Sequence, residues 1–423
     1  MKEIELKGLN ETIYYDECKN GLKVYLWVNK KVNTFYGTLS VKYGSIYKDF
    51  KIGKKIYNTP YGIAHFLEHI KFNESDNYTA QDFYKKTGCD TNAFTTFDYT
   101  NYQVFGTNDC ILNINHLLDF VENNYFTKNI VKDEKGIIIE EANSTEDNPY
   151  TMMYFDLINN VFKNSDYKSV ITGDSENVKK ITYEDINLVF NTFYHPENMF
   201  LIVTGNFNPY ELMASIKDNQ DKKDFSKYVK PVRIVKKDNK KVLVKYMEKE
   251  KNVSSRKIKI GIKVPLNDLK DFDEIHIRTY LSILLNANFG STSDFREELL
   301  NKELINNMTH SYEKIDDYYL LSITIESNYK EEIIKLINDK LDNIVIDKKT
   351  FERKKKGNIA SLILDYEDVE YVNEMLQFEI LNYGNIIDNY KEIYENLEYE
   401  DILRFINILD LKERSILVYN PQK

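Results

Sequence analysis

The chain has 423 residues, of which 42% are hydrophobic and 29% charged, and it contains no low-complexity tract. This length exceeds what one hydrophobic core usually supports, so the sequence predicts two domains. The 57 basic and 67 acidic residues give a net charge of −10. That balance argues against a nucleic-acid partner, because such proteins need a basic face for the phosphates.

Signals for secretion or membrane insertion are not found in the sequence. The first residues, MKEIELKGLN, contain no apolar core of a signal peptide. No later stretch approaches the roughly 18 uninterrupted apolar residues of a membrane span. Cys18, Cys89 and Cys110 lie far apart, form no CxxC pair and are odd in number, which is typical of a reducing compartment. We therefore expect a cytoplasmic protein without membrane contact.

Apolar periodicity predicts groups of strands and helices in the first half of the chain. Residues 22–28 and 38–43 are apolar at every second position, as in half-buried strands. Residues 79–87 have a helical pattern, with Thr79 as N-cap and Gly88 just past the end. The other predicted elements are a helix at 61–72, strands at 91–97 and 100–105, a helical stretch over 110–144 broken near 123–127, and a strand at 200–204.

The order of elements starts again in the second half. Residues 217–241 are rich in lysine and aspartate with little apolar pattern, which predicts a linker. The elements predicted beyond it are a strand at 257–264, a helix at 271–286, a strand at 318–325, further helices and a closing strand at 415–419. We therefore expect an α+β fold of two homologous domains, each a mostly antiparallel sheet packed with helices. The expected ranges are 1–216 and 242–423 for the domains and 217–241 for the linker.

The segment His65-Phe66-Leu67-Glu68-His69 carries the clearest chemistry in the sequence. Residues four apart share one face of a helix, so both histidines can point at one ion. Glu68 lies close to that ion as a carboxylate that is not a ligand. These groups suit a hydrolytic zinc site, because zinc lowers the pKa of its bound water to about 7 and a carboxylate then takes the proton.

A simpler interpretation is that the two histidines are hydrogen-bonded core residues at a chance spacing. However, the chain has only six histidines, and these two bracket a glutamate within the otherwise apolar run at 63–70. Burying three ionisable groups on a core-facing stretch is costly without an ion that compensates them. The sequence therefore favours a metal site. Its H-x-x-E-H order is the inverse of the H-E-x-x-H motif.

A catalytic zinc site needs a third protein ligand and one open position. Glu134 and Glu141 are seven residues apart, so on a helix they share one face and lie two turns from each other. Glu140 points to a different side. Spacing alone leaves a second interpretation open, since glutamate-rich helices are commonly solvated surfaces.

Taken together, these motifs resemble the pitrilysin/insulinase family of zinc metallopeptidases, the inverzincins, and are most similar to its bacterial YmfH-like branch. Glu141 follows His69 by 72 residues and is the second glutamate of an E-x6-E motif. The resemblance implies that His65, His69 and Glu141 bind one zinc ion per chain. It also implies that Glu68 is the general base and that Glu134 is a supporting acid that orients the site. Further matching segments are Ala93-Phe94-Thr95, Tyr194 to Met199 and Gly290 to Asn307.

The family fold implies that two related domains form one half of a clamshell around an internal chamber. A peptide substrate would add a strand to an exposed sheet edge, which binds the peptide backbone rather than particular side chains. The candidate edge is the run 92–97, and its candidate substrate-binding residues are Asn92, Ala93, Phe94 and Thr95. The alternative is that this run is an ordinary hairpin strand.

One part of the family pattern is missing from this chain. Catalytic members usually carry an arginine and a tyrosine about seven residues apart in the second domain, where both stabilise the tetrahedral intermediate. The matching positions hold Leu300 and either Asn306 or Asn307, and Arg296 lies one turn too early. We therefore expect half of an active site. The expected assembly is a homodimer, or a heterodimer with a related subunit that supplies the arginine and tyrosine.

The leading hypothesis is a zinc endopeptidase that hydrolyses short or unfolded peptides as the zinc-bearing subunit of a dimer. One alternative is a non-catalytic assembly subunit of the same fold, although the intact metal motif argues against it. Another is a metal-dependent hydrolase of a non-peptide substrate, for which the same chemistry would serve.

Overall fold

The computed structural model describes residues 1–422. Its strands are β1 (Lys2–Leu6), β2 (Glu11–Glu17), β3 (Lys23–Val28), β4 (Phe35–Val41), β5 (Asp49–Ile52), β6 (Lys55–Asn58), β7 (Asn73–Ser75), β8 (Tyr78–Thr79), β9 (Asp90–Thr95), β10 (Thr100–Gly106), β11 (Met199–Gly205), β12 (Val232–Arg233), β13 (Tyr246–Lys251), β14 (Lys257–Pro265), β15 (Asn307–Ile315), β16 (Tyr318–Glu326) and β17 (Arg414–Pro421).

The helices are α1 (Ile63–Lys71), α2 (Ala80–Thr87), α3 (Cys110–Glu122), α4 (Lys128–Asp147), α5 (Pro149–Val161), α6 (Ser175–Lys180), α7 (Tyr183–Phe193), α8 (Pro209–Asp221), α9 (Glu274–Phe289), α10 (Asp294–Asn301), α11 (Lys330–Asp342), α12 (Lys348–Asp365), α13 (Val369–Tyr383), α14 (Tyr390–Glu395) and α15 (Tyr399–Ile408). Within residues 1–422, none of them has the length and apolar character that crossing a bilayer requires.

Packing divides these elements into two compact units, and each unit contains segments from both halves of the sequence. Unit 1 comprises Met1–Ser144, Ser169–Ile234 and Ser361–Glu392. Unit 2 comprises Thr145–Lys168, Val235–Ala360 and the chain from Ile393 onward. The domain ranges expected from the sequence are each continuous. In the structure, residues 361–392 belong to unit 1 and residues 145–168 belong to unit 2.

The two units are built on related sheets. Unit 1 has seven strands in the order β1-β2-β3-β11-β4-β10-β9, and all neighbours are antiparallel except the parallel pair of β3 and β11. Unit 2 has the order β13-β17-β14-β16-β15, in which β13 and β17 are the parallel pair. The strands β3-β11-β4-β10-β9 match this second sheet in order and direction. The prediction of two related, mostly antiparallel α+β domains is therefore confirmed.

The sheet of unit 1 is covered on both faces, which explains why β4 and β11 are buried throughout. On one face, apolar side chains such as Leu39 and Leu201 pack in a core with α1, α3 and α8. The opposite face is covered by α13, which contacts β11 and β4. Its buried Asn373 accepts a hydrogen bond from Oγ1 of Thr38 (2.6 Å) and donates one to the carbonyl of Ile202 (3.2 Å). These bonds fix a helix from near the end of the sequence on the first sheet.

Helix α5 covers the sheet of unit 2 in the corresponding way, against β17 and β14. Asp156 on α5 accepts hydrogen bonds from the hydroxyl of Tyr419 and from Nζ of Lys249. Gly261 on β14 permits close approach, because a Cβ atom there would lie 2.9 Å from Cδ1 of Leu157. Each sheet is thus covered by a helix that is distant from it in sequence, and this exchange is the physical reason that the units are not continuous halves of the chain.

Local predictions agree closely with the structure. Helix α2 begins after Thr79, whose side chain accepts a hydrogen bond from the backbone N–H of Asp82, and it ends at Gly88 with a φ of 71°. The helical stretch predicted over 110–144 is divided into α3 and α4 at the expected break. The predicted linker contains ordered structure, because α8 runs to Asp221 and β12 pairs with β5.

We expect Asn373→Leu to destabilise unit 1, because the hydroxyl of Thr38 would stay buried without this partner. Leaving one buried polar group unsatisfied costs about 1–3 kcal/mol. Urea unfolding, followed by the fluorescence of the single tryptophan Trp27, measures the change, since Trp27 is buried in the same unit. Asn382→Ala is the matched control, because Asn382 is exposed on the same helix. Equal stabilities of the two variants would contradict the role assigned to α13.

Candidate metal centre

Burial holds helix α1 in one orientation. Eight of its nine residues are buried, and the exception is His69. The residue before the helix, Gly62, has a φ of 85°, and Gly173 has a φ of 73°. A Cβ atom at Gly62 would lie 2.4 Å from the carbonyl oxygen of Thr172. The two glycines therefore allow a close approach of two backbone segments that places the N-terminus of α1.

Three side chains from α1 and α4 converge. Nε2 of His65 lies 3.4 Å from Oε1 of Glu141, and Nε2 of His69 lies 3.3 Å from Oε2 of the same carboxylate. One ligand atom of each residue lies within 4.8 Å of the others. The side chain of Glu141 is 43% exposed and that of His65 only 10%, so solvent reaches the cluster on its carboxylate side.

The geometry of this cluster fits a zinc ion. Zinc binds histidine nitrogen and carboxylate oxygen at about 2.0–2.2 Å, so that two ligand atoms of one tetrahedral ion lie roughly 3.4 Å apart. The measured nitrogen–oxygen distances, 3.4 and 3.3 Å, match this spacing. Two histidines and one glutamate are also a donor set of catalytic zinc sites, which keep a fourth position open for water or substrate.

Glu134 supports His69 from the other side of the imidazole ring. Its Oε1 lies 3.0 Å from Nδ1 of His69, which leaves Nε2 directed at Glu141. A carboxylate behind a ligand histidine fixes the ring's tautomer and raises its basicity. Burial lowers the pKa of His69, but the hydrogen bond to Glu134 and the neighbouring carboxylates outweigh it, and the pKa is raised. The hydrogen bond to His65 lowers the pKa of Glu141.

Glu68 is buried next to these residues, with 7% of its surface exposed. Oγ1 of Thr95 donates a hydrogen bond to Oε2 of Glu68 (2.7 Å). This bond connects α1 to β9 and orients the carboxylate. The cluster of three ligand atoms does not include Glu68, so a carboxylate lies beside the candidate ligands without being one of them.

The four predicted substrate-binding residues lie on β9, the edge strand of the seven-stranded sheet. Burial alternates along this strand. Ala93 packs against the core, and Thr95 bonds Glu68, so both face the side of α1. Asn92 and Phe94 face the opposite side of the sheet. The structure thus brings Thr95 to Glu68, beside the candidate metal ligands, and places Asn92 and Phe94 on the opposite face of the sheet.

Sequence reasoning missed two features of this site. The approach of Gly62 to Gly173 joins segments with no local pattern in common, although a glycine just before a helix is a recognisable signal of a special backbone conformation. The bond from Thr95 to Glu68 is the second, because the sequence pattern of β9 indicates only a strand edge and not a contact with α1. Glu140, which the spacing predicts to point to a different side from Glu134 and Glu141, is exposed and is not among the candidate ligands.

Unit 2 holds no corresponding cluster among its described residues. Its helix α9 follows β14 and packs against the edge strand β15, as α1 packs against β9. Leu300 packs against the core of unit 2, and the backbone of Asn306 donates a hydrogen bond to the carbonyl of Glu326. Nε of Arg296 donates to the carbonyl of Met308 (3.3 Å). Among the described residues, the candidate metal ligands therefore all lie in unit 1.

Comparison with protein families matches both halves of the chain. Residues 32–175 match the family described as Insulinase (Peptidase family M16), and residues 180–358 match the Peptidase M16 inactive domain. The first range contains all three candidate ligands, and the second contains none of them.

Related proteins match over nearly the full length. The zinc protease YmfH of Bacillus subtilis (strain 168), described as uncharacterised, is 32% identical over 416 residues that cover 96% of each chain. The zinc protease PqqE of Helicobacter pylori is 24% identical over 92% of this chain and 88% of its own length.

Solved structures share the fold. A protein of Alicyclobacillus acidocaldarius described as an M16-like peptidase superposes with a TM-score of 0.92 at 24% identity, over 99% of this chain and 100% of its own. The periplasmic protease PqqL of Escherichia coli superposes with a TM-score of 0.77 at 16% identity, over 100% of this chain and 48% of its own. The YmfH identity and the two matching families show that the chain belongs to the M16, or insulinase, family of zinc proteases, as its motifs had indicated.

Proposed function

We propose that the chain is a zinc-dependent endopeptidase that hydrolyses short or unfolded peptides. The observation that carries the proposal is the convergence of His65, His69 and Glu141 at the spacing of zinc ligands. A buried carboxylate, that of Glu68, lies next to them. Membership of a family of zinc proteases supports the same reaction class.

The residues around the cluster have different proposed roles in hydrolysis. Zinc, when bound, supplies Lewis-acid chemistry that polarises a carbonyl and acidifies water. Glu68 accepts the proton of the attacking water on its carboxylate. Because Thr95 holds Oε2 of Glu68, the other carboxylate oxygen is the one presented to water. Glu134 keeps the ring of His69 in its ligating orientation through Nδ1.

The peptide is proposed to bind as an added strand along β9. An edge strand has backbone N–H and C=O groups without a partner on one side, and a peptide that pairs there is held by main-chain hydrogen bonds. Thr95 connects this strand to Glu68, so a peptide backbone on β9 would pass close to the base. Folded proteins rarely offer a free extended segment, which is why short or unfolded peptides are the proposed substrates.

The working assembly is proposed to be a dimer around a chamber, with this chain as the zinc-bearing subunit. The whole chain matches 48% of PqqL, as one of two halves would. In unit 2 the hydroxyls of Tyr318 and Tyr319 are engaged by the carbonyl of Asp238 (3.0 Å) and by Oε1 of Glu274 (2.6 Å). Leu300 has no side-chain donor. A related subunit with arginine and tyrosine at the matching positions would supply the missing donors, so we favour a heterodimer.

The cytoplasm is the proposed location. Cys18, Cys89 and Cys110 are all free, as is typical of proteins in a reducing compartment. Burial raises the pKa of the Cys18 thiol to about 11 and also raises the pKa values of the other two. Because the thiolate is the reactive form, none of the three is expected to take part in the reaction.

The parent protein is expected to keep about one zinc ion per chain, as a site with three protein ligands implies. His69→Ala and Glu141→Ala should each lose most of the metal, because two remaining ligands bind it weakly. Glu134→Gln should weaken zinc binding by about 10–100-fold, since it removes the carboxylate behind His69 but no ligand. Elemental analysis and titration with a chelator measure these changes.

The control for the metal variants is Glu140→Ala, because Glu140 is exposed and adjacent to Glu141. It should bind zinc like the parent. A comparable loss of zinc from Glu140→Ala, or full retention of zinc by Glu141→Ala, would show that the ligand assignment is wrong.

Glu68→Gln is expected to retain zinc but to slow peptide hydrolysis by about 10²–10⁴-fold, because it removes the proton acceptor and no ligand. Digestion of a mixed peptide library, with and without chelator and read by mass spectrometry, measures cleavage. Glu140→Gln makes the same chemical change at an exposed position and should cleave like the parent. If both variants cleave equally at equal zinc content, Glu68 is not the base.

The chain alone is expected to cleave peptides weakly. Addition of a related subunit with arginine and tyrosine at the positions of Leu300 and Asn306 should raise kcat/KM for a fluorogenic peptide by about 10²–10³-fold, the usual effect of one oxyanion donor. The control is the same subunit with those two residues changed to leucine and asparagine. It should still associate but not stimulate. Full activity of the chain without any partner would contradict the half-site proposal.

A further inference from the structure

A groove lies beside helix α13 on the sheet of unit 1. The helix packs against β11 and β4, and the neighbouring strands on one side are β10 and the edge strand β9. The groove has a volume of about 480 Å³ and lies between the exposed side of α13 and the end of β9. Phe94 of β9 and Tyr99 form one wall, and residues 371–382 of α13 form the other. The groove is on the face of the sheet opposite to the metal cluster, because Thr95 faces Glu68 and Phe94 faces away from it.

The side walls of this groove are aromatic and accessible. Phe94 is 37% exposed, Tyr371 47% and Phe378 39%. The rings of Phe94 and Tyr99 contact each other edge to face at 5.9 Å. Exposed aromatic side chains that converge on one concave surface are typical of a binding site. Aromatic faces also attract cations, because the ring quadrupole is negative above the plane.

A carboxylate lies among these aromatic residues. Glu374 lines the groove between Tyr371 and Phe378 on the same helix. Burial and the charges of Glu370 and Asp368 raise the pKa of Glu374. The neighbouring charges that act on Glu374 are thus negative, and a positive charge placed in the groove would be favourable to all three carboxylates.

The position of the groove relates it to the proposed peptide strand. A strand added to β9 would lie about 4.8 Å from it and would direct successive side chains to opposite faces of the sheet. Side chains on one face would point toward Glu68 and the metal cluster. Those on the other face would lie next to Phe94, which lines the same groove as Glu374. Every second side chain of the peptide would therefore pass the groove.

We propose that this groove is a specificity subsite that takes an arginine or lysine side chain of the bound peptide, with the apolar stem between Phe94 and Tyr371 and the charged end at Glu374. The inference rests on the proposed function, because it requires that β9 binds the peptide. It adds a preference that pairing along an edge strand does not itself provide, since such pairing uses the main chain.

The test uses zinc-loaded Glu68→Gln protein, which should bind peptides without cleaving them. The probes are fluorescent peptides of alanine and serine in which a single arginine is moved one position at a time, with norleucine as the neutral control of similar length. Arginine is expected to bind roughly fivefold more tightly than norleucine at a position beside Phe94, from a cation–π contact and a solvent-screened ion pair. The gain should decrease at high salt.

Glu374→Gln in the same background should reduce the gain from arginine by roughly two- to threefold and leave the affinity for the norleucine peptide unchanged. Glu370→Gln, one turn earlier on α13 and outside the groove lining, is the matched control and should reduce the gain clearly less. Equal reductions would indicate a general charge effect and overturn the subsite. Binding of the norleucine peptides without any gain from arginine would overturn the subsite alone. Failure of every peptide to bind would overturn both the subsite and the proposed function.

Discussion

A helix that is buried on nearly every side can present its polar groups in only one direction, and the candidate metal centre depends on this constraint. Helix α1 has a single residue that is not buried, His69. The third candidate ligand comes from α4, whose own rotation is set by the buried side chains of Val131, Ile138 and Ala142. Glu141 lies next to these buried side chains on the same helix. The cluster is therefore preorganised by packing, so that side-chain freedom is already lost before an ion or substrate binds.

The two units share a sheet arrangement, but only unit 1 has a candidate metal site among the described residues. Both units contain the same five-stranded arrangement, and both place a helix next to the edge strand. In unit 1 that helix carries two imidazoles and a carboxylate, whereas α9 in unit 2 buries mainly apolar groups such as Ile277, Leu281 and Leu284. A few side chains on α1 and α4 distinguish the unit with the candidate metal site from the other unit. Function thus follows from the site and not from the fold.

The sequence was most informative where structure is determined locally. The H-x-x-E-H spacing, the cap at Thr79 and the break between α3 and α4 depend on residues close in sequence, and the structure agrees with them. The third ligand, Glu141, needed the resemblance to a known family, because a contact across 72 residues has no local pattern.

Packing between distant segments could not be predicted from the sequence pattern. The bond from Thr38 to Asn373 spans 335 positions, and nothing in either local sequence indicates its partner. Similarly, the alternation of β9 predicts which side chains share a face, but not that Thr95 meets Glu68. The exchange of α5 and α13 between the units was missed for the same reason. These elements have ordinary helical patterns, and their patterns do not specify which sheet they cover.

The exchange of α13 has a consequence for the order in which the chain folds during synthesis. The sheet of unit 1 is complete once β11 has left the ribosome, but one of its faces stays bare until residues 369–383 follow. The hydroxyls of Thr38 and Thr204 bond residues of α13, so these two hydrogen bonds can form only after α13 has been made. The candidate zinc ligands therefore belong to a unit whose second face cannot be covered before residues 369–383 have been made. Strand β17 of unit 2 follows α13 in the chain, so the helix that covers the second face of unit 1 is made before the sheet of unit 2 can be completed.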